Sequence, residues 1–322
     1  MINSMTMVGI MLYNTKGDSN TNSAPNSDYA IAGAVSGCVT RFLCQPLDVL
    51  KIRFQLQVEP ITEHHVSKYQ SMHQAVYLIL KEEGISALWK GHIPAQLLSI
   101  VYGMSQFYSY HMFMKLSDRL PVDDWKHSTS FVAGAAAGTV ATITSFPFDT
   151  VRTRLVAQSS NHRVYQGILH SHQEILRAES YRGFFRGLWP TLLQIAPHTG
   201  LQFACYEFFT DLYKRHFDES TTRIVNSLIA GSTAGFIAKT VVYPLDLSRK
   251  RLQIQGFEHG RKGFGKFFRC EGMVHCLITT AKEEGMKGLF KGLWPSQLKA
   301  AATTALHFTV YEQVLLLLTY LR

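Results

Sequence analysis

Long stretches without charged residues recur along the chain, separated by shorter, charged segments. Residues 91–114, 128–148 and 187–206 contain no Asp, Glu, Lys or Arg, and about 20 such residues are enough for one helix to span a bilayer. The same stretches contain many Ser, Thr, Gln, His and Tyr residues. Polar residues at membrane depth usually face a bundle interior or a water-filled cavity. The pattern therefore predicts a helical membrane protein with a polar centre.

A proline-acid-base motif ends a mostly uncharged helical stretch three times. The motif is Pro-x-Asp-x-x-base-x-base, and it covers residues 46–53, 147–154 and 244–251. A period of about 100 residues is too long for a solenoid unit. It fits a helical hairpin with an added segment, used three times.

A glycine-marked signal follows each motif, and a short amphipathic helix fits between the motif and this signal. The signal is Glu-Gly followed by aromatic-base-Gly, at 83–84 with 89–91 and at 284–285 with 290–292. The second repeat has Glu179-Ser180 with 185–187, so its first glycine is replaced. We expect the short helices at about 70–82, 166–178 and 271–283, on the membrane surface. A second long helix follows in each repeat, which gives six transmembrane helices and three surface helices.

The predicted organisation is an N-terminal tail followed by three repeats, at 1–27, 28–120, 121–218 and 219–322. The tail is rich in Asn, Ser and Thr and is expected to be disordered. It lacks the pattern of a cleaved presequence, so we expect any organelle address to be internal. The first helix of each repeat carries a Gly-x-x-x-Gly pair, at Gly33/Gly37, Gly134/Gly138 and Gly231/Gly235. Small residues at this spacing predict close approach of membrane helices.

Charge and cysteine usage narrow the class of protein. The net charge of +9 indicates an acidic partner, which could be nucleic acid, anionic lipid or an anionic small molecule. The basic residues lie at helix ends and inside uncharged stretches rather than along one exposed stripe, which argues against nucleic acid. The five cysteines show no metal-ligand spacing and no disulfide framework. No Ser/His/Asp set or Walker loop is present, so we expect no enzyme, no metal and no cofactor.

The three motifs, each followed by the acidic-glycine and aromatic-base-glycine signal, resemble the mitochondrial carrier family over residues 28–320. The resemblance implies the all-α mitochondrial carrier fold and a multi-pass protein of the mitochondrial inner membrane. Residues 51–57, 89–96 and 243–259 further resemble family members that carry thiamine pyrophosphate. We therefore expect an antiporter that imports thiamine pyrophosphate into the matrix, in exchange for nucleotides, by alternating access. A carrier for (deoxy)nucleotides or coenzyme A-type substrates is the alternative.

The resemblance also implies a gate of ion pairs at the matrix end of a central cavity. The expected pairs are Asp48 with Arg152, Asp149 with Arg249, and Asp246 with Lys51. Alone, an acid and a base three residues apart would form a same-face helix pair worth about 0.2–0.5 kcal/mol. Glutamines nine residues after the proline brace such pairs in the family. Gln55 and Gln253 match, whereas the second repeat has Val156, so two braces are expected.

The family pattern at the opposite, cytoplasmic gate is aromatic-acid-x-x-base, and this chain matches it poorly. Tyr206-Glu207 and Tyr311-Glu312 keep the aromatic residue and the acid, but Thr210 and Leu315 replace the base. We expect a weak cytoplasmic gate and a resting preference for the cytoplasm-open state.

Substrate recognition requires residues that break the threefold symmetry. Arg41, Lys239 and Lys299 are bases within or beside predicted spans, where an unpaired charge costs at least about 2.5 kcal/mol on insertion scales. Together they suit a phosphate or diphosphate; the alternative is that they only snorkel or pair structurally. The family's further contact positions fall on Leu98, Ser99, Gln194 and Ile195, with Tyr102 and His198 one turn deeper.

Leu98, Tyr102, Ile195 and His198 could hold a flat heteroaromatic ring, although such residues on a helix face more often serve packing. The expected partners are an anionic small-molecule substrate and membrane lipids, cardiolipin among them. One chain carries all three repeats, so we expect a monomer to be sufficient.

Overall fold

The computed structural model describes residues 26–58, 68–117, 126–158, 164–216, 223–257 and 268–321. Every regular element in these residues is helical, which confirms the predicted all-α class. The predicted N-terminal tail falls almost wholly on residues 1–25, which lie outside the described residues.

Long, short and long helices follow one another three times along the chain. The first group contains α1 (Asn26–Leu56), α2 (Met72–Glu83) and α3 (His92–Ser117). The second contains α4 (Lys126–Ala157), α5 (Ile168–Glu179) and α6 (Leu188–His216). The third contains α7 (Arg223–Gln253), α8 (Met273–Gly288) and α9 (Leu293–Tyr320). The motif prolines Pro46, Pro147 and Pro244 lie inside α1, α4 and α7.

The described residues form two compact units, one within Met1–Leu47 and Gln297–Arg322, the other within Asp48–Ser296. In the first unit, Ser36 Oγ lies 3.3 Å from His307 Nδ1, which joins α1 to α9. In the second unit, α3 packs along α4, and α6 packs along α7. The short helices belong to the second unit, and so do the motifs apart from Pro46 and Leu47.

Two helices of the described chain are long and apolar enough to cross a membrane, over Asp28–Leu56 and Leu293–Tyr320. Length and composition alone define this property. The four other long helices are too polar or too charged over their described lengths to meet it, which agrees with the polar character of the uncharged stretches.

The Gly-x-x-x-Gly pairs do not lie at close helix contacts, so that prediction is wrong for this structure. Among the described atoms, none lies within 4 Å of where a Cβ would stand on five of these glycines, namely Gly33, Gly37, Gly134, Gly138 and Gly235. At Gly231, the nearest atoms belong to the Tyr206 ring, at 3.9 Å. At the first five positions, no described atom lies close enough to require a small residue.

The short helices begin about two residues later than predicted, and a capping box fixes the first turn of α2. At α2, the Gln74 amide donates to Ser71 Oγ at 3.3 Å, and the Ser71 amide donates to Gln74 Oε1 at 3.4 Å. This reciprocal capping box satisfies two amide groups that the helix itself leaves without acceptors. Glycines, Gly167 and Gly272, precede the other two short helices.

A buried arginine ties each motif to the short helix that follows it. The second base of the motif donates to both carboxylate oxygens of a glutamate, at 2.6 and 2.8 Å for Arg53–Glu83 and at 2.5 and 2.9 Å for Arg154–Glu179. Arg251 and Glu284 form the same bidentate pair. In each repeat, the base of the aromatic-base-glycine triplet forms an ion pair with the glutamate that the arginine binds. These bases are Lys90, Arg186 and Lys291. We call these three clusters of two bases and one acid the clamps. The sequence patterns had not predicted them.

The turn after each short helix requires a positive φ. Gly84 has φ 78° and Gly285 has φ 73°, whereas the second repeat places Ser180 there with φ 59° and ψ −174°. This region of backbone space is nearly restricted to glycine, and a side chain in it costs about 1–3 kcal/mol. The second repeat therefore carries local strain that the other two avoid.

We expect Ser180→Gly to raise the free energy of unfolding by about 1 kcal/mol, because it removes this strain while the flexible glycine returns part of the gain. Thermal unfolding of the purified protein in detergent would measure the change. The matched control is Gly84→Ser, which should lower stability. A neutral or destabilising Ser180→Gly together with a tolerated Gly84→Ser would contradict the strain.

The clamp of the first repeat should make stability depend on pH. Burial alone would raise the pKa of Glu83, but hydrogen bonds from Arg53 and Lys90 lower it from 4.5 to about 2. Because the folded-state pKa lies below the unfolded one, the contribution of Glu83 is complete above about pH 4.5 and disappears as the pH falls towards 2.

We expect Glu83→Gln to lower the free energy of unfolding at neutral pH by about 3–5 kcal/mol, because the buried Arg53 loses its opposite charge. Unfolding midpoints measured between neutral and acidic pH should show the gap from the wild type closing below about pH 4.5. Glu82→Gln is the control, since Glu82 pairs with Lys68 and is 44% exposed, and exposed pairs contribute little. Equal effects of the two substitutions would refute the clamp's contribution.

Candidate functional site

The motif acids and first bases of different repeats form three ion pairs, all inside the second unit. The N–O distances are 2.5 Å for Asp48–Arg152, 2.7 Å for Asp149–Arg249 and 2.6 Å for Asp246–Lys51. None of these side chains is more than 18% exposed. The structure thus contains the three pairs that the family resemblance implied. Their action as a gate remains a prediction.

Two glutamines contact the paired carboxylates, at the positions expected for braces. Gln55 Nε2 donates to Asp246 Oδ2 at 3.0 Å and to the Tyr243 hydroxyl at 3.1 Å. Gln253 Nε2 donates to Asp149 Oδ2 at 2.5 Å. The equivalent position of the second repeat holds Val156, which is fully buried and has no polar side-chain atom.

The pair between α4 and α7 has additional partners that the sequence patterns missed. Lys250 Nζ lies 2.9 Å from Asp149 Oδ2, and the Arg249 guanidinium lies 5.6 Å from the centre of the Phe146 ring. A cation over an aromatic face gains electrostatic attraction. The available signal was the run of three bases at 249–251, in which Lys250 adds a base between the two bases of the motif.

Glycines of the aromatic-base-glycine triplets lie against the backbone of the paired bases. A Cβ would stand 3.2 Å from the Arg152 carbonyl oxygen at Gly91, 2.7 Å from that of Arg249 at Gly187, and 3.0 Å from that of Lys51 at Gly292. The three glycines also have positive φ, between 74° and 87°. Both features exclude a side chain, so the turn before each of α3, α6 and α9 packs directly against a base from another repeat.

The bases predicted to bind substrate are half-buried and lie on α1, α7 and α9. Lys239 on α7, in the second unit, donates to the Ser296 carbonyl oxygen. Arg41 and Lys299 belong to the first unit. The grouping of the three around one substrate stays a prediction.

The other predicted substrate contacts lie on α3 and α6 of the second unit. Leu98 and Tyr102 are buried one turn apart, while Ser99, Gln194, Ile195 and His198 are half-buried. Residues four apart on a helix share a face, which applies to Leu98 with Tyr102 and to Gln194 with His198. Ser99 Oγ and Gln194 Oε1 are shielded from solvent and have no hydrogen-bond partner among the described residues.

The residues of the predicted cytoplasmic gate lie on α6 (Tyr206 and Glu207) and on α9 (Tyr311 and Glu312). Both glutamates are exposed, and the ion pairs within the described part of the chain do not include them. The weakness of this gate stays a prediction. Over the same part of the chain, no group of three or more His, Cys, Asp or Glu side chains is placed to hold a metal ion.

The sequence matches known proteins over nearly its whole length. The model of the family described as "Mitochondrial carrier protein" matches residues 22–119, 124–217 and 220–321. The proteins named "Mitochondrial thiamine pyrophosphate carrier" of Macaca fascicularis and Homo sapiens are each 46% identical over 310 residues, which is 95% of this chain and 95% of theirs. "Mitochondrial thiamine pyrophosphate carrier 1" of Phaeosphaeria nodorum is 39% identical over 297 residues, covering 88% of this chain and 91% of that protein.

These matches confirm the family resemblance, and with the helical order they confirm the carrier fold. They also place the chain among transport proteins rather than enzymes. The chain belongs to the mitochondrial carrier family.

Proposed function

We propose that this chain is an antiporter of the mitochondrial inner membrane that imports thiamine pyrophosphate into the matrix in exchange for nucleotides. The observation that supports thiamine pyrophosphate as the substrate is the 46% identity, over 95% of both chains, to relatives named as thiamine pyrophosphate carriers. The three ion pairs between different repeats support alternating access as the transport mode. In this proposal they close one end of the transport path and break when that end opens.

In this proposal each of the six long helices crosses the membrane once. The repeats cover residues 28–120, 121–218 and 219–322. The motifs end α1, α4 and α7, and the short helices α2, α5 and α8 lie at the matrix surface. The chain has the three repeats within itself, so a monomer can work alone.

The diphosphate of the substrate docks on Lys299, Lys239 and Arg41. An arginine can bind a phosphate through two parallel hydrogen bonds, and a lysine acts as a mobile point charge. Binding at Lys239 exchanges its hydrogen bond to the Ser296 carbonyl for a charge-assisted bond to the ligand. The ring system of the substrate packs against Leu98, Tyr102, Ile195 and His198, while Ser99 and Gln194 offer polar atoms to it.

Transport requires that the three ion pairs break, and this is costly because their side chains are largely buried. A substrate can shift the equilibrium between the two gate states only by binding one state more tightly than the other. The empty protein lacks this compensation, so it returns slowly and exchange dominates. The cytoplasmic gate, with Tyr206, Glu207, Tyr311 and Glu312, closes weakly and favours a resting state open to the cytoplasm.

Anionic membrane lipids, cardiolipin among them, are the further proposed partners. A groove of about 580 Å³ in the second unit lies between residues 89–94 and 166–170, where α3 and α5 begin. Helix N-termini present backbone amides and partial positive charge, which suit a lipid phosphate.

The test is uptake of labelled thiamine pyrophosphate into liposomes that contain the purified protein, with and without internal nucleotide. We expect uptake that needs internal substrate and competes with excess unlabelled thiamine pyrophosphate. Lys299→Ala should reduce the uptake rate at low substrate by at least about tenfold, because a charge-assisted contact is lost. Lys287→Ala, at an exposed lysine on α8, is the matched control and should transport normally.

Rapid exchange of ATP or ADP, with thiamine pyrophosphate neither entering nor competing, would contradict thiamine pyrophosphate as the substrate and favour a nucleotide carrier. Equal uptake by Lys299→Ala and Lys287→Ala would remove Lys299 from the substrate site.

A further inference from the structure

One gate carboxylate in the second unit binds two cations. Lys250 Nζ lies 3.0 Å from Oδ1 and 2.9 Å from Oδ2 of Asp149, which also pairs with Arg249 at 2.7 Å. The ammonium further contacts Thr153 Oγ1 at 2.9 Å and Gln253 Oε1 at 3.0 Å. Lys250 is only 6% exposed and Asp149 only 4%. A buried ammonium with this many acceptors is held in one place.

The three repeats differ at the position of Lys250. Six residues after the motif proline stand Ile52, Thr153 and Lys250, so only the third repeat has a base there. All three side chains are buried, which shows that the position faces the interior in each repeat. Four bases therefore face the three gate carboxylates.

The pair between Asp246 and Lys51 provides the contrast. Among the described residues, Lys51 is the basic group that forms an ion pair with Asp246, and Gln55 adds a neutral hydrogen bond. Asp149 has the same kind of glutamine contact, from Gln253, and in addition the second cation. Asp149 is consequently bound by more charge-assisted hydrogen bonds than Asp246.

We propose that Lys250 is a fourth basic residue of the matrix gate and that it holds Asp149 jointly with Arg249. The contact between α4 and α7 is then stronger than the contact that Asp246 and Lys51 form between α7 and α1, and it opens after that contact. Lys250 acts on the gate as a positioning residue and need not touch the substrate. This inference rests on the gate role proposed above for the three ion pairs.

The gate should therefore limit how often the empty protein opens towards the matrix. In liposomes loaded with labelled thiamine pyrophosphate, exchange is efflux with external substrate present, and leak is efflux without it. The ratio of leak to exchange does not depend on how much active protein is reconstituted. It reports gate strength rather than folding yield.

The experiment compares this ratio for Lys250→Met, which keeps an unbranched stem of similar length but removes the charge, with Lys250→Arg, which keeps a cation. We expect the ratio to rise about tenfold in Lys250→Met, as expected for the loss of a charge-assisted contact, and to stay within about twofold of the wild type in Lys250→Arg. Lys287→Met, at the exposed lysine of α8, is the control and should leave the ratio unchanged. Lys51→Ala, at an original gate pair, should raise it.

A wild-type ratio in Lys250→Met, with a raised ratio in Lys51→Ala, would overturn the role of Lys250 alone. Unchanged ratios in both variants would overturn the gate itself. If Lys250→Met does not yield folded protein, a comparison of Arg249→Ala with Lys51→Ala tests whether Lys250 is a second cation at Asp149. In Arg249→Ala, Lys250 still binds Asp149, so the ratio of leak to exchange should rise about tenfold less than in Lys51→Ala. Equal increases of the ratio in these two variants would reject the second cation.

Discussion

Buried charges at the ends of α1, α4 and α7 are the constraint on which the rest of the structure depends. Arg53, Arg154 and Arg251 are at most 2% exposed, and a buried cation is stable only with an opposite charge at hydrogen-bond distance. Each therefore needs a glutamate from the following short helix. This requirement fixes where α2, α5 and α8 lie against the long helices, and it sets the path of the chain into α3, α6 and α9.

The two bases of each motif thus serve different contacts although they are only two residues apart. The first base pairs with an acid of another repeat, and its side chain is between 9% and 18% exposed. The second base pairs within its own repeat, and its side chain is at most 1% exposed. A carrier needs contacts between repeats that can open while each repeat stays intact. The alternation of the two bases separates these requirements along one helical turn.

The repetition of residue types made most of the fold predictable. An acid and a base at fixed distances from a proline, seen three times, carried the family resemblance, and that resemblance implied the three ion pairs between repeats. The clamps were missed because Arg53 and Glu83 lie 30 residues apart and no local spacing joins them. Lys250 was missed because it occurs in one repeat and not in the others. The Gly-x-x-x-Gly pairs misled, since small residues permit close packing but do not require it.

The packing of Gly187 against the Arg249 carbonyl has a consequence for inherited variation. Every missense change of a glycine codon adds at least one carbon, and at Gly187 that carbon would stand 2.7 Å from the carbonyl oxygen of Arg249. The chemistry of the new side chain matters little at such a distance. Alanine, serine and arginine alleles at this codon should belong to one phenotypic class, whereas alleles at Gly138, whose Cβ position is open, should differ according to the residue introduced.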